Sequence, residues 1–255
     1  MASINVFLLL LIVSKIHSFV VKNDQDTISQ NGKSQSPIYV NLPQTNYVEY
    51  PSFLFSTGYH ETTMFQVSIH NDETISITPI LLDSTNLVVS GGCLSGVFTF
   101  QSAHLHWPKS EHRFNKKKYV AEAHFIHKNL DTNEIAVFAY FFTLINSQSY
   151  KNDDKMNNWE FIVQTFTNNT NMTIAGGLSS LMKGKKDRFI HYMGSLTTEP
   201  FTEGISWILV SSAMKLSDSS LNRLRTNVIS SNYRLIQPLN DRLVYRSFPS
   251  TSWNT

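Results

Sequence analysis

One cysteine, Cys93, stands among 255 residues. No disulfide can close within the chain, which excludes a fold stapled by several bridges. Cys93 lies in the apolar stretch GGCLSGVF and is expected to be buried. Charge is also scarce: charged residues make up 16%, and 21 basic against 19 acidic side chains leave a net +2. That balance excludes the strongly basic footprint of a nucleic-acid or membrane-surface protein. The apolar run Val6 to Val13 falls far short of the roughly 20 residues that span a bilayer. Near the N-terminus, with polar sequence following, it predicts a secretory signal over 1–18, cleaved after Ser18, and hence a secreted chain. A polar segment, 19–34, comes next. The n-region carries no basic side chain, and a buried N-terminal strand is the other reading. Two glycosylation sequons, beginning at Asn168 and Asn171, agree with export. No apolar C-terminal tail marks a lipid anchor or a further membrane segment.

What is abundant is aromatic: 17 Phe and 10 Tyr, residues that favour pleated, half-buried surfaces. Strand-length apolar or alternating runs recur between turn residues. They are FQVSIH (65–70), TISITPILL (74–82), GVFTFQSAHLHW (96–107), YVAEAHFIH (119–127), EIAVFAYFFTLI (134–145), WEFIVQTF (159–166) and GISWILVSS (204–212). One segment has a different period. Ser217 to Ser220 can cap a helix carrying Leu221, Leu224 and Val228 at 3–4 spacing. GGLSSLMKGKK (176–186) reads as a short helix or a loop. The expected fold is mostly β, a single domain over 35–255 with a few short peripheral helices.

Five of the nine histidines fall between residues 104 and 127. In a strand, His104 and His106 project to one side, and in YVAEAHFIH the same parity joins Glu122 to His124 and sends His127 to the other face. A turn near Lys109 to Lys118 would bring His124 opposite the first pair. Three neutral imidazoles leave one corner of a tetrahedral Zn2+ open, as in catalytic zinc. Glu122 is placed to hold a ligand's second nitrogen. The bland alternative is a set of strand histidines satisfied by core hydrogen bonds, the reading kept for His112 and His127.

HLHW, SEH, a basic turn and AEAHFIH together resemble the alpha-class carbonic anhydrases. QSPI (35–38), SGG (90–92), AVFAYFF (136–142), GSLTTEP (194–200), Trp207 and NYRLIQPLNDR (232–242) extend the resemblance in the same order. It implies a large, twisted, mainly antiparallel sheet with zinc at the base of a conical cleft. It also implies reversible hydration of carbon dioxide to bicarbonate and a proton. By position, His104, His106 and His124 match the zinc ligands, and Glu122 matches the carboxylate behind the third. Thr197 and Glu111 match the catalytic pair that orients zinc-bound hydroxide. Thr198 matches a hydroxyl near bicarbonate, and Ile126, Val137, Leu196 and Trp207 match the apolar wall that receives carbon dioxide. His112 and Tyr192 match structural partners beneath the site.

The sequence also departs from that family. Ser102 replaces a glutamine that braces the first ligand, so the orientation of His104 is expected to be looser. Glu199 replaces a proline, and an aromatic N-terminal motif and a cysteine pair are missing. Glu73 stands where the fastest members carry a proton-relaying histidine; His70 lies three residues earlier. An ordinary Glu pKa of about 4.3 is poorly matched to a donor near 7, so proton export is expected to limit turnover. The substrates implied are carbon dioxide, bicarbonate and water, with no nucleic acid and no membrane span after signal removal. The competing class is a catalytically silent secreted relative that acts as a binding or matrix protein. Such relatives usually lose a zinc histidine, whereas this chain keeps all three.

Overall fold

The computed structural model describes residues 32–70, 74–80, 86–114, 117–147, 158–165, 172–227 and 231–249. The proposed signal, Glu73 and both sequon asparagines lie outside them. The first strands are β1 (Tyr39–Val40), β2 (Asn46–Tyr47), β3 (Phe53–Phe55), β4 (Thr63–His70) and β5 (Thr74–Pro79). They are followed by β6 (Val88–Gly91), β7 (Phe98–His106), β8 (Arg113–Phe114), β9 (Ala121–Lys128) and β10 (Ile135–Ile145). The last are β11 (Met172–Gly176), β12 (Phe189–Ser195), β13 (Glu203–Val210), β14 (Met214–Ser217) and β15 (Tyr245–Arg246). Among the described residues two α-helices, α1 (Asn158–Thr165) and α2 (Asp218–Asn227), flank the strands.

Thirteen strands form one sheet whose main path runs β11-β4-β5-β7-β9-β10-β13-β12-β15-β2, with β1 and β8 pairing apart. Pairing is mainly antiparallel, as expected; the parallel pairs within this sheet are β10 with β13, β10 with β14, and β15 with β2. Strand alternation divides the apolar residues between two cores. Ala103, Leu105, Ala123, Phe125, Phe138 and Tyr140 pack on one side with Trp159 and Ile162. Val137, Ala139, Phe141, Tyr192, Trp207 and Leu209 pack on the other. In β7 the register against β9 shifts between Phe100 and Ser102. This bulge moves the side-chain alternation by one residue. Phe98 and Phe100 therefore enter the first core, while Ser102, His104 and His106 turn to the second face.

Residues 159–165 of the run WEFIVQTF are helical, not the strand that its apolar composition predicts. In a strand Phe161 would share the buried face of Trp159 and Val163. Instead Phe161 is 46% exposed, whereas Trp159, Ile162 and Val163 are buried at helical spacing. Trp159 packs against Phe125 and Phe142 and donates Nε1–H to the Leu181 carbonyl at 3.1 Å. Full burial of such a ring contributes about 3 kcal/mol. The helix expected after Ser217 is α2: Ser217 Oγ accepts from Ser220 N at 3.0 Å, an N-cap worth about 1 kcal/mol. The buried carboxylate of Glu160 on α1 accepts from Ser217 N at 3.0 Å and Ser220 Oγ at 2.7 Å, tying the helices together. Leu178–Ser180 forms a single 3-10 turn within the stretch 176–186. Cys93 is partly exposed rather than buried outright, although desolvation pushes its thiol up to about 12.

Candidate metal centre

The β7–β9 register sets His104 directly opposite His124, and His106 opposite Glu122. Directly opposed side chains share a face, so one stretch of sheet gathers three imidazoles and one carboxylate. Ring centroids are 4.9 Å apart for His104 and His106, 5.2 Å for His104 and His124, and 4.5 Å for His106 and His124. One ligand atom from each ring lies within 4.8 Å of the others. Three imidazoles gathered this closely are a donor set that one Zn2+ could share. His106 and His124 are buried, while His104 is partly accessible.

Hydrogen bonds behind the rings select which nitrogen each offers. His106 Nδ1 donates to the Asn232 carbonyl at 2.6 Å, leaving the Nε2 lone pair facing the group. That Nε2 is buried with no hydrogen-bond partner. His124 donates Nε2–H to Glu122 Oε1 at 2.8 Å, which leaves its Nδ1 as the nitrogen that could hold a metal. An orphaned imidazole nitrogen and a neighbour held in the complementary tautomer are the features a cation would satisfy. The donor set fits zinc.

Glu122 is fully buried and accepts three bonds: from His124, from His112 Nδ1 at 2.6 Å and from His112 N at 2.8 Å. Burial alone would raise its pKa, but the hydrogen bonds it accepts from His112 and His124 hold it far below the usual carboxylate range. Burial, with His106 beside it, pushes His124 below the usual imidazole value, against the pull of Glu122. Beneath lies a relay. Tyr192 donates its hydroxyl to His112 Nε2 at 2.6 Å, and Ser36 Oγ lies 2.7 Å from Tyr192. Ser36 also accepts from Ser195 N at 3.1 Å. A Cβ at Gly194 would stand 2.1 Å from Ser36 Oγ, so this close crossing needs glycine. Burial keeps the Tyr192 hydroxyl protonated.

Ile126, Val137 and Trp207 occupy one register row across β9, β10 and β13, next to the row of His124. Leu196 packs against the same cluster, and the Trp207 ring lies 4.8 Å from His124. Ser102 ends this row on β7, paired with Ile126. Thr197 is buried and Thr198 partly exposed, in the loop after β12, which Leu196 N to Thr202 O (2.9 Å) and Phe201 N to Thr198 O (2.8 Å) close. Phe201 there takes a left-handed φ of 57°. Glu111 accepts from Arg234 N at 2.7 Å through Oε1. Its Oε2 has no hydrogen-bond partner, and stands 3.5 Å from His106 Nε2. Arg234 also places its guanidinium 3.8 Å over the Phe201 ring and donates to Gln35 Oε1 at 3.0 Å. One arginine thus anchors both Glu111 and the Thr197 loop. Neither Arg234 nor Asn232 carries a local sequence signal; both lie in the NYRLIQPLNDR motif, more than a hundred residues from Glu111, Gln35 and His106.

The description "Eukaryotic-type carbonic anhydrase" belongs to the family model that matches residues 22–248. A carbonic anhydrase of Klebsiella pneumoniae is 26% identical over 230 residues, covering 87% of this chain and 83% of that one. Human carbonic anhydrase 6 is 28% identical over 250 residues, covering 87% and 78%. The solved alpha-carbonic anhydrase of Photobacterium profundum aligns with a TM-score of 0.67 at 25% identity, covering 85% of this chain and 90% of that one. The sheet, the histidine constellation and these likenesses agree: the chain belongs to the eukaryotic-type carbonic anhydrase family.

Proposed function

We propose that this chain is an active, secreted, zinc-dependent carbonic anhydrase that interconverts carbon dioxide and bicarbonate. The observation that carries the reading is the trio His104, His106 and His124, with ligand atoms inside 4.8 Å of one another and the buried Nε2 of His106 unpartnered. Bound zinc would supply hydroxide at neutral pH by lowering the pKa of its water to about 7; every other part of the chemistry falls to protein groups. Glu122 holds His124 with Nδ1 bare, and the Asn232 carbonyl holds His106 with Nε2 bare. Thr197, whose hydroxyl would donate to Glu111 Oε2, must then accept a hydrogen bond from the nucleophile. One lone pair on that nucleophile is thereby aimed at the substrate. Glu111 suits the task, since Oε1 is already committed to Arg234 N while Oε2 is buried and unpartnered.

Carbon dioxide is small and apolar, so the row of Ile126, Val137 and Trp207 with Leu196 suits it better than a charged clamp would. Thr198, partly exposed beside Thr197, would hydrogen-bond bicarbonate. Proton export would rest on Glu73 and external buffer. Secretion rests on the N-terminal apolar run and glycosylation on the two sequons. Among the described residues no helix is long and apolar enough to cross a membrane. The test is stopped-flow hydration by the purified protein, with metal analysis and a zinc-binding sulfonamide. One zinc per chain and sulfonamide-sensitive hydration support an enzyme; one zinc without such hydration supports the binding or matrix relative.

A further inference from the structure

We infer that the side-chain amide of Asn232 is a positioning device for the metal centre: it fixes the end of β7 so that its own carbonyl holds His106 in the ligating tautomer. This rests on the zinc reading above. A backbone carbonyl exists whatever residue occupies 232, so only its placement can be set by the side chain. Residues 231–239 form neither helix nor strand, and no regular ladder fixes that placement. The amide does so instead. Trp107 N donates to Asn232 Oδ1 at 2.8 Å, and Asn232 Nδ2 donates to the Leu105 carbonyl at 3.0 Å and to Thr74 Oγ1 at 3.3 Å. Asn232 N adds a bond to the Trp107 carbonyl at 3.2 Å.

These contacts grip the residues on either side of His106, and between them His106 Nδ1 meets the Asn232 carbonyl at 2.6 Å. The residue type matters. Leu105 O needs a donor and Trp107 N needs an acceptor, and a short amide offers both from one planar group. A carboxylate would set charge against the Leu105 carbonyl, and alanine would release both. In either case the carbonyl gains freedom to leave Nδ1, and His106 can then exchange tautomers and present an N–H toward the ion. Asn232 touches no substrate; it acts through His106.

Full-length Asn232→Ala and Asn232→Asp test this against Leu224→Ala, which opens a cavity in α2 at a residue 2% exposed and outside the site. Two signals are read on the zinc-loaded proteins: zinc release to a chelator and the His106 Nδ1–H resonance by nitrogen-edited NMR. Both Asn232 variants should release zinc about 10–100-fold faster than the parent, with the Nδ1–H signal shifted or lost. Leu224→Ala should lower the melting temperature without either change. Should Asn232→Ala not fold, Asn232→Asp, nearly identical in shape, carries the test alone. Release no faster than in Leu224→Ala, or an unmoved resonance, overturns the positioning role while leaving the zinc reading intact. A parent protein that takes up no zinc overturns both.

Discussion

Replacing Glu122 by glutamine would disturb the site at its most constrained point. The carboxylate accepts two imidazole N–H groups at Oε1, at 2.6 and 2.8 Å, and the His112 backbone N–H at Oε2, at 2.8 Å. Glutamine keeps the shape, but one oxygen becomes a double donor. If its NH2 takes the Oε2 position, it faces the His112 N–H, donor to donor, in a fully buried site. An unsatisfied buried group there costs about 1–3 kcal/mol of folding stability. If NH2 takes the Oε1 position, His124 must accept through Nε2 and carry its proton on Nδ1, the atom a metal requires bare. Both orientations also remove the charge that strengthens the remaining bonds. Zinc affinity should fall about 10–100-fold, or roughly 1.4–2.7 kcal/mol. Chelator competition on Glu122→Gln measures the affinity, and denaturant titration of the metal-free protein measures the stability. A variant matching the parent within twofold in zinc affinity, with an unshifted denaturation midpoint, would refute the reasoning.

Thr197→Ala should lower carbon dioxide hydration about 100-fold with zinc content unchanged, since it removes one preorganised hydrogen-bonding group and no ligand; activity within a factor of three of the parent would exclude Thr197 from the orienting role. His127 and His191 are held near 3 and 4 by burial, below the usual 6.5. The unfolded chain therefore binds their protons first, so the stability they contribute is complete above about pH 6.5 and wanes as pH falls toward those values. Each should cost about 2 kcal/mol between pH 7 and 5, and His127→Phe should shed its share of that slope; an unchanged slope would contradict it. Imidazole buffer should raise turnover steeply, because no histidine stands at the relay position; a rate independent of buffer concentration would show an internal route.

The sequence shows the histidine trio plainly, because strand parity alone joins His104 to His106 and Glu122 to His124, and one antiparallel pairing joins the two sets. It shows α2 through its serine cap and leucine spacing. It misreads α1, because a continuous apolar run such as WEFIVQTF has no clear period; only the exposure of Phe161 against the burial of Ile162 reveals the helical phase. The β7 bulge is invisible too, since Phe98 and Phe100 continue the alternation of Ser102 and His104 without a break. The hardest features are those in which distance along the chain hides proximity. Asn232 braces His106 from 126 residues away, and Arg234 reaches Gln35 across 199. Neither has a local pattern; each becomes visible only when the 231–239 segment lies against the end of β7.

The decisive measurement is anomalous diffraction at the zinc edge from crystals grown with stoichiometric zinc. One strong peak should appear, about 2.0–2.1 Å from one ring nitrogen of His104, Nε2 of His106 and Nδ1 of His124. A peak elsewhere, or one with any of those rings turned away from it, would contradict the account.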